Sequence, residues 1–174
     1  MKDLILVVGP NGIGKSTACR ALTEALGAAA YVDSDWCRFI EPFSFTEATK
    51  ACVVANMSDM LANYFACDGV EHVIFSYGLH GPRRQLLDRV LERLGQRGIA
   101  YRFCPVLCTC SPRENELRMR RDGRGEARIA RAMACRWVYE DCPYPVSYTH
   151  LDVYKRQAGS RGERAANLCG EHWR

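Results

Sequence analysis

Several common signatures are missing from this 174-residue chain, and each absence excludes something. No apolar run approaches the ~20 residues that a membrane-spanning helix needs. The opening stretch MKDLILVVGPNG has one lysine and a short apolar run, but that run ends in a glycine loop and has no small-residue cleavage site. The expectation is a soluble, cytoplasmic protein without a membrane partner. The ten cysteines include no C-x-x-C pair, and the four histidines do not cluster with them. Cys108-Thr109-Cys110 is the nearest approach to a metal motif, and it reads more simply as small buried side chains. Without a secretory leader a disulfide framework is not expected. The net charge of +4 falls short of the basic stripe that a nucleic-acid binder carries, so no nucleic-acid partner is expected. Internal repeats and low-complexity tracts are absent too. A hydrophobic share of 48% and a charged share of 25% fit one ordinary globular domain.

The apolar run Leu4 to Val8 is continuous, as in a strand buried on both faces. Lys15 to Leu26 carries Ala18, Ala21, Leu22, Ala25 and Leu26 at helical spacing, and Gly27 stops it. Ala30 to Val32 reads as a second strand ending at Asp33, Thr46 to Ala66 as a helix, His72 to Ser76 as a third strand. Arg83 to Gln96 is an amphipathic helix, Tyr101 to Cys108 a further strand, and Pro112 to Arg120 and Glu126 to Tyr139 are polar, Arg-rich helices around Gly123-Arg124-Gly125. Strands alternating with helices predict an α/β fold with a three-layer parallel sheet built from right-handed crossovers.

Between the first strand and first helix stands Gly9-Pro10-Asn11-Gly12-Ile13-Gly14-Lys15-Ser16, followed by Thr17. It matches G-x-x-x-x-G-K-[ST] at every fixed position and in the strand–loop–helix context that the motif demands. Such a P-loop turns main-chain N–H groups around phosphate oxygens, and glycine permits the required dihedrals and close approach. The helix beginning at Lys15 adds its positive dipole end. Lys15 is expected to reach the β- and γ-phosphates of ATP, and the Ser16 hydroxyl to ligate Mg²⁺.

Asp33 and Asp35 follow the second strand, where ligands bind in open parallel sheets. A kinase needs one acid near Mg²⁺ and another to position or deprotonate the acceptor hydroxyl, and this pair could divide those roles. Helix capping is the structural alternative for such a pair. The third strand ends at Ser76 without an acid, which moves the metal-acid role to Asp33. His80 and Arg83 come just after it, either one able to bind an anionic acceptor, although a lone loop histidine is more often structural.

GPNGIGKST followed by YVDSDWCRFIE resembles the shikimate kinase and gluconate kinase branch of small P-loop kinases, with motif agreement at 9–17 and 31–41 and architectural coverage of about residues 3–140. The resemblance implies that Asp33 helps hold Mg²⁺ and that Asp35 contacts the acceptor hydroxyl. It also implies a lid after strand four, with Arg118 at its start stacking on adenine. Where shikimate kinases carry a glycine triplet after strand three, this chain has Ser76-Tyr77-Gly78-Leu79-His80-Gly81. The implied acceptor is therefore as readily another small metabolite or a nucleotide as shikimate. Among the crowded lid arginines, Arg121 and Arg124, beside Gly123 and Gly125, are the candidates for closing on the transferred phosphate. A solvated helix face paired with Glu114, Glu116, Asp122 and Glu126 is the structural alternative. A nucleotide-dependent regulatory ATPase without an acceptor remains the rival function.

One segment does not read like protein evolution. Val146 to Gln157, VSYTHLDVYKRQ, back-translates into an inverted repeat, TCTCTTATACACATCT being the reverse complement of AGATGTGTATAAGAGA. That looks like two transposon ends of the kind used to build sequencing libraries, joined head to head. The expectation is a P-loop kinase-like domain over 1–145, its lid at about 112–140, and a non-native tail over 146–174. Leaving out that tail removes five basic and three acidic residues, so the domain's own net charge falls to +2. The fold would then be truncated, lacking its last strand and the adenine-binding loop after it, and an inactive fragment is a further reading.

Overall fold

The computed structural model describes residues 1–139 and 147–150. Its strands are β1 (Lys2–Val8), β2 (Ala29–Asp33), β3 (His72–Tyr77), β4 (Tyr101–Thr109) and β5 (Ser147–His150). They form one parallel sheet in the order β2-β3-β1-β4-β5. The helices are α1 (Lys15–Leu26), α2 (Glu47–Ala66), α3 (Arg83–Gln96), α4 (Pro112–Arg121) and α5 (Glu126–Ala134).

Strand alternation sends each side chain of β1 to one face or the other. Leu4, Leu6 and Val8 join Val73, Phe75 and the apolar sides of α2 and α3 in the larger core, which includes Val54, Met57, Leu61, Leu87 and Val90. Ile5 and Val7 face the opposite way, with Ile74 and with Cys19 of α1. Helices thus cover both faces of the sheet, giving the three layers expected, and the continuous apolar run of β1 follows from burial on both sides. β1 is buried from Asp3 onward, including that aspartate at its start. Arg102 donates to Asp3 through Nε at 2.7 Å and Nη2 at 2.9 Å, and His72 Nδ1 lies 2.8 Å away. These residues are direct neighbours across the parallel register, so the trio pins three strands at the end of the sheet remote from the phosphate loop.

Helix starts follow their capping residues. Thr46 accepts from the Thr49 N–H at 3.1 Å before α2, and Ser111 accepts from the Glu114 N–H at 3.2 Å before α4, with Pro112 in its first turn. Three elements differ from the sequence expectation. The last Arg-rich helix is not continuous: α5 ends at Ala134 and a separate 3-10 turn, Arg136–Tyr139, follows. That turn is held from outside, because Tyr139 Oη accepts from the Leu79 N–H at 2.9 Å and Arg136 donates to the Cys110 carbonyl at 2.7 Å. A second 3-10 turn, Trp36–Arg38, follows β2. The sheet also has a fifth strand, inside the segment read as foreign. Parallel pairing beside β4 draws on main-chain groups, which a non-proline sequence of any origin supplies. The loss of an adenine-binding loop after the last strand, expected from the truncation, concerns residues outside those described.

Candidate active site

The strand order changes direction at β1, and in open parallel sheets that is where ligands bind, beyond the carboxyl ends of the strands. The loop Gly9–Gly14 leaves β1 at this point. Gly9 lies so close to β4 that a β-carbon there would stand 2.6 Å from the Cys108 carbonyl oxygen. Gly12 has φ +78°, and a β-carbon would meet Met119 Cγ at 2.2 Å. The bend therefore tolerates no side chain at either glycine. α1 starts immediately after it, and no side chain caps the free N–H groups of its first turn. Those donors and the positive helix end face the cleft, the electrostatic arrangement that holds a phosphate.

Lys15 folds back over the bend, donating to the Gly9 carbonyl at 2.8 Å and to the Pro10 carbonyl at 3.1 Å. Burial pulls its ammonium pKa down, against the opposing pull of Cys108, Asp35 and Asp33. Two carbonyl dipoles are weaker partners than a phosphate, so an anion entering the bend competes well for this lysine.

Asp33 ends β2 beside Ser76 of β3, so the carboxylate from one strand stands next to the acid-free end of its neighbour. Three donors converge on it: Ser16 Oγ at 3.0 Å and Tyr31 Oη at 2.7 Å to Oδ2, and the Asp35 N–H at 3.0 Å to Oδ1. Burial and Asp33 push the Tyr31 phenol up, so it stays a protonated donor. Ser16 and Asp33 thus present a hydroxyl and a carboxylate oxygen within 3.0 Å, hard oxygen donors of the kind that suits Mg²⁺, and the residues present fit that ion. Among the described residues no group of three or more His, Cys, Asp or Glu is arranged to hold a metal by itself. That matches the way Mg²⁺ is held by few protein ligands together with substrate phosphates.

Asp35 opens the Trp36–Arg38 turn, and Arg38 donates to its Oδ1 through Nε at 3.0 Å and Nη2 at 2.7 Å. Oδ2 is left for another donor. The cleft, about 830 Å³ and open to solvent, brings together Lys15, Ser16, Thr17, Asp33 and Asp35. Asn11, Gly12 and Gly14 border it as well, while Gly9, Pro10 and Ile13 lie behind its wall. From the α4–α5 connection and α5 come Arg124 and Arg128, and from after β3 come Gly78 and Arg83. Arg121 is exposed at the end of α4 and does not border the cleft. Arg118 lies against the outer side of the bend, donating to the Ile13 carbonyl at 3.2 Å and to Glu114 at 2.7 Å. His80 packs beside Gly78 with Arg83. Burial, then the charges of Lys15 and Arg38, hold its imidazolium pKa below the usual range.

The sequence reading had no place for Asn115. This fully buried side chain on α4 donates to the Asn11 carbonyl at 3.0 Å and accepts from Arg136 at 2.7 Å. Nothing in an Arg-rich helix marks one asparagine as the link between that helix and the glycine bend. Tyr31 was legible in principle, since Tyr31 and Asp33 are two apart on one strand and so share a face.

No family model matches the chain, and no curated protein sequence does. Solved structures do match. The tunicamycin resistance protein of Deinococcus radiodurans superposes with a TM-score of 0.61 at 15% identity, covering 98% of this chain and 96% of that one. A gluconokinase from Sinorhizobium meliloti 1021 gives 0.59 at 18% identity over 95% and 91%. Shikimate kinase from Acinetobacter baumannii, in complex with shikimate, gives 0.50 at 19% identity over 90% and 92%. The fold is that of the small P-loop kinases. At these identities the likeness concerns architecture, and the chemistry rests on the site itself. Among the described residues no helix is long and apolar enough to cross a membrane.

Proposed function

We propose that the chain is an Mg-ATP-dependent kinase that transfers the γ-phosphoryl group to the hydroxyl of a small molecule or nucleotide. The observation that carries this reading is the convergence of an uncapped helix start, Lys15, and the Ser16–Asp33–Asp35 oxygen set on one cleft. An enzyme of this chemistry works by positioning and electrostatic stabilisation more than by covalent steps. The N–H groups of Gly12, Gly14, Lys15 and Ser16 orient the phosphate chain, the Ile13 N–H being taken up by the Pro10 carbonyl at 3.4 Å, and Lys15 exchanges its two carbonyl partners for phosphate oxygens. Ser16 and Asp33 would hold Mg²⁺, with Tyr31 fixing the carboxylate. When bound, the ion neutralises charge on the phosphates. Asp35 takes the proton of the acceptor hydroxyl through Oδ2 while Arg38 steadies Oδ1. The acceptor oxygen bonds to the γ-phosphorus, and the bond to the β–γ bridging oxygen breaks with its electron pair leaving on ADP. Arg124 and Arg128 lie where a closing lid meets the transferred group, and Arg121 joins them on closure. Arg118 supports the bend from outside and swings to adenine only if its Ile13 contact is released.

The functional unit we propose is residues 1–145, cytoplasmic, with the lid at about 112–140 and with 146–174 read across a library junction; sequencing the source DNA over codons 146–157 tests this. A screen of phosphate transfer from labelled ATP to metabolites and nucleoside monophosphates tests the activity. Transfer to an acceptor, abolished in Asp35→Asn with ATP binding kept, supports the kinase. ATP hydrolysis that no acceptor stimulates supports the regulatory ATPase instead.

A further inference from the structure

Loop 78–82 joins β3 to α3, and Gly78 and Arg83 bring its two ends to the cleft on the acceptor side. Three contacts set its shape. The Tyr77 phenol donates to the Arg83 carbonyl at 2.9 Å. The Arg83 guanidinium rests on the start of the loop, so that a β-carbon at Gly78 would stand 3.1 Å from its Nη1. Between these ends Leu79 is buried in the larger core, and its N–H donates to Tyr139 Oη at 2.9 Å. Tyr139 closes the 3-10 turn Arg136–Tyr139, which packs in the same core. At the other end of that turn, Arg136 Nη1 donates to Asn115 Oδ1 at 2.7 Å, and Asn115 Nδ2 donates to the Asn11 carbonyl of the glycine bend at 3.0 Å.

One short turn thus grips both sides of the cleft, the glycine bend through Arg136 and the loop after β3 through Tyr139. Leu79, Asn115, Arg136 and Tyr139 do not border the cleft, so they act on a ligand through the backbone they hold. A buried main-chain N–H needs a partner, which ties the path of the loop to the position of the Tyr139 oxygen. Where packed side chains and hydrogen bonds join two sites, ordering one end lowers the entropy still to be lost at the other. We propose that Tyr139 is a positioning residue: it fixes the acceptor wall and, through Arg136 and Asn115, links that wall to the bend, so that phosphates seated in the bend steady loop 78–82. The proposal rests on the kinase reading for what occupies each side. It adds a route by which bound nucleotide prepares the acceptor side.

Hydrogen exchange of the Leu79 amide, read by NMR on the full chain with and without saturating Mg-AMPPNP, tests it. In the parent chain the nucleotide should slow that exchange about tenfold. Tyr139→Phe keeps the ring in the core and removes only the oxygen. Without nucleotide its Leu79 amide should exchange about tenfold faster than the parent's, while the buried Leu61 amide of α2 stays within about twofold, and Mg-AMPPNP should no longer slow Leu79. Asn115→Ala cuts the link at its other end, so it should keep the Tyr139 bond and lose the response to saturating nucleotide. A purely structural role for Tyr139 would speed Leu61 as much as Leu79 and leave the response in place, and either result would overturn the proposal. So would a response retained in Asn115→Ala. Isothermal titration of Mg-AMPPNP on the same samples separates the two readings. No binding by the parent would overturn the kinase reading and this proposal with it, whereas binding without slower exchange at Leu79 would overturn the proposal alone.

Discussion

The phenol of Tyr31 donates to Asp33 Oδ2 over 2.7 Å, and the Ser16 hydroxyl meets the same oxygen at 3.0 Å. The Asp33 carboxylate, which we propose as the metal-side acid, is thus held by its own strand and by the start of α1. Partners of this kind around ligating carboxylates set ligand orientation, and losing one costs about 10–100-fold in metal affinity or activity. Tyr31→Phe should therefore raise the Mg²⁺ concentration for half-maximal activity by about tenfold, at the low end because two donors to Asp33 remain. A magnesium titration of turnover at saturating ATP checks this, with circular dichroism unchanged.

Asn115 and Arg136 join α4 and the turn after α5 to the glycine bend. Asn115→Ala removes a fully buried side chain and takes one partner each from the half-buried Asn11 carbonyl and Arg136 guanidinium, which keeps its bond to the Cys110 carbonyl. Removing one partner from such groups costs about 1–3 kcal/mol, and with both still reached by water or a second partner a loss of about 1–2 kcal/mol is expected in urea unfolding. ATP affinity should fall as well, because Asn11 borders the cleft.

Gly12 and Met119 occupy one space. Gly12→Ala should destabilise the protein and weaken nucleotide binding, since the new methyl would stand 2.2 Å from Met119 Cγ on a backbone at φ +78°. Part of the cost is contact and part is backbone. Adding Met119→Ala should relieve the contact and leave the strain of the left-handed conformation, about 1 kcal/mol. A double-mutant cycle in urea should thus show favourable coupling between the two positions.

His80 makes stability depend on pH. Its folded pKa lies below the ordinary 6.5, because of burial first and then the Lys15 and Arg38 charges. The unfolded chain binds this proton more readily than the folded one, so stability rises with pH through this range and is lost as pH falls below 6.5. Unfolding midpoints at pH 7.5 and 5.5 should differ less in His80→Asn than in the parent chain.

How much of this was legible in the sequence depended on how local each signal is. β1, the glycine bend and α1 are written in adjacent residues, a buried apolar run, a loop with fixed glycines and a helical stripe, and their bounds differ little from the expectation. The break after Ala134 was invisible because its causes are distant: Tyr139 is held by Leu79, and Arg136 by Cys110 and Asn115. The lid arginines looked alike for a related reason. Composition marks them all as phosphate donors, while only the packing of α4 against the bend distinguishes Arg118, on the Ile13 carbonyl, from Arg124, at the cleft.

The central claim is that the bend between Val8 and Lys15 binds the phosphates of Mg-ATP. Isothermal titration of Mg-ATP into the parent chain and into Lys15→Ala tests it most directly. Saturable binding by the parent, weakened about tenfold or more without the lysine, is the predicted result, as expected for a charge-assisted contact to phosphate. Equal affinity in the two proteins, or none in the parent, would contradict it.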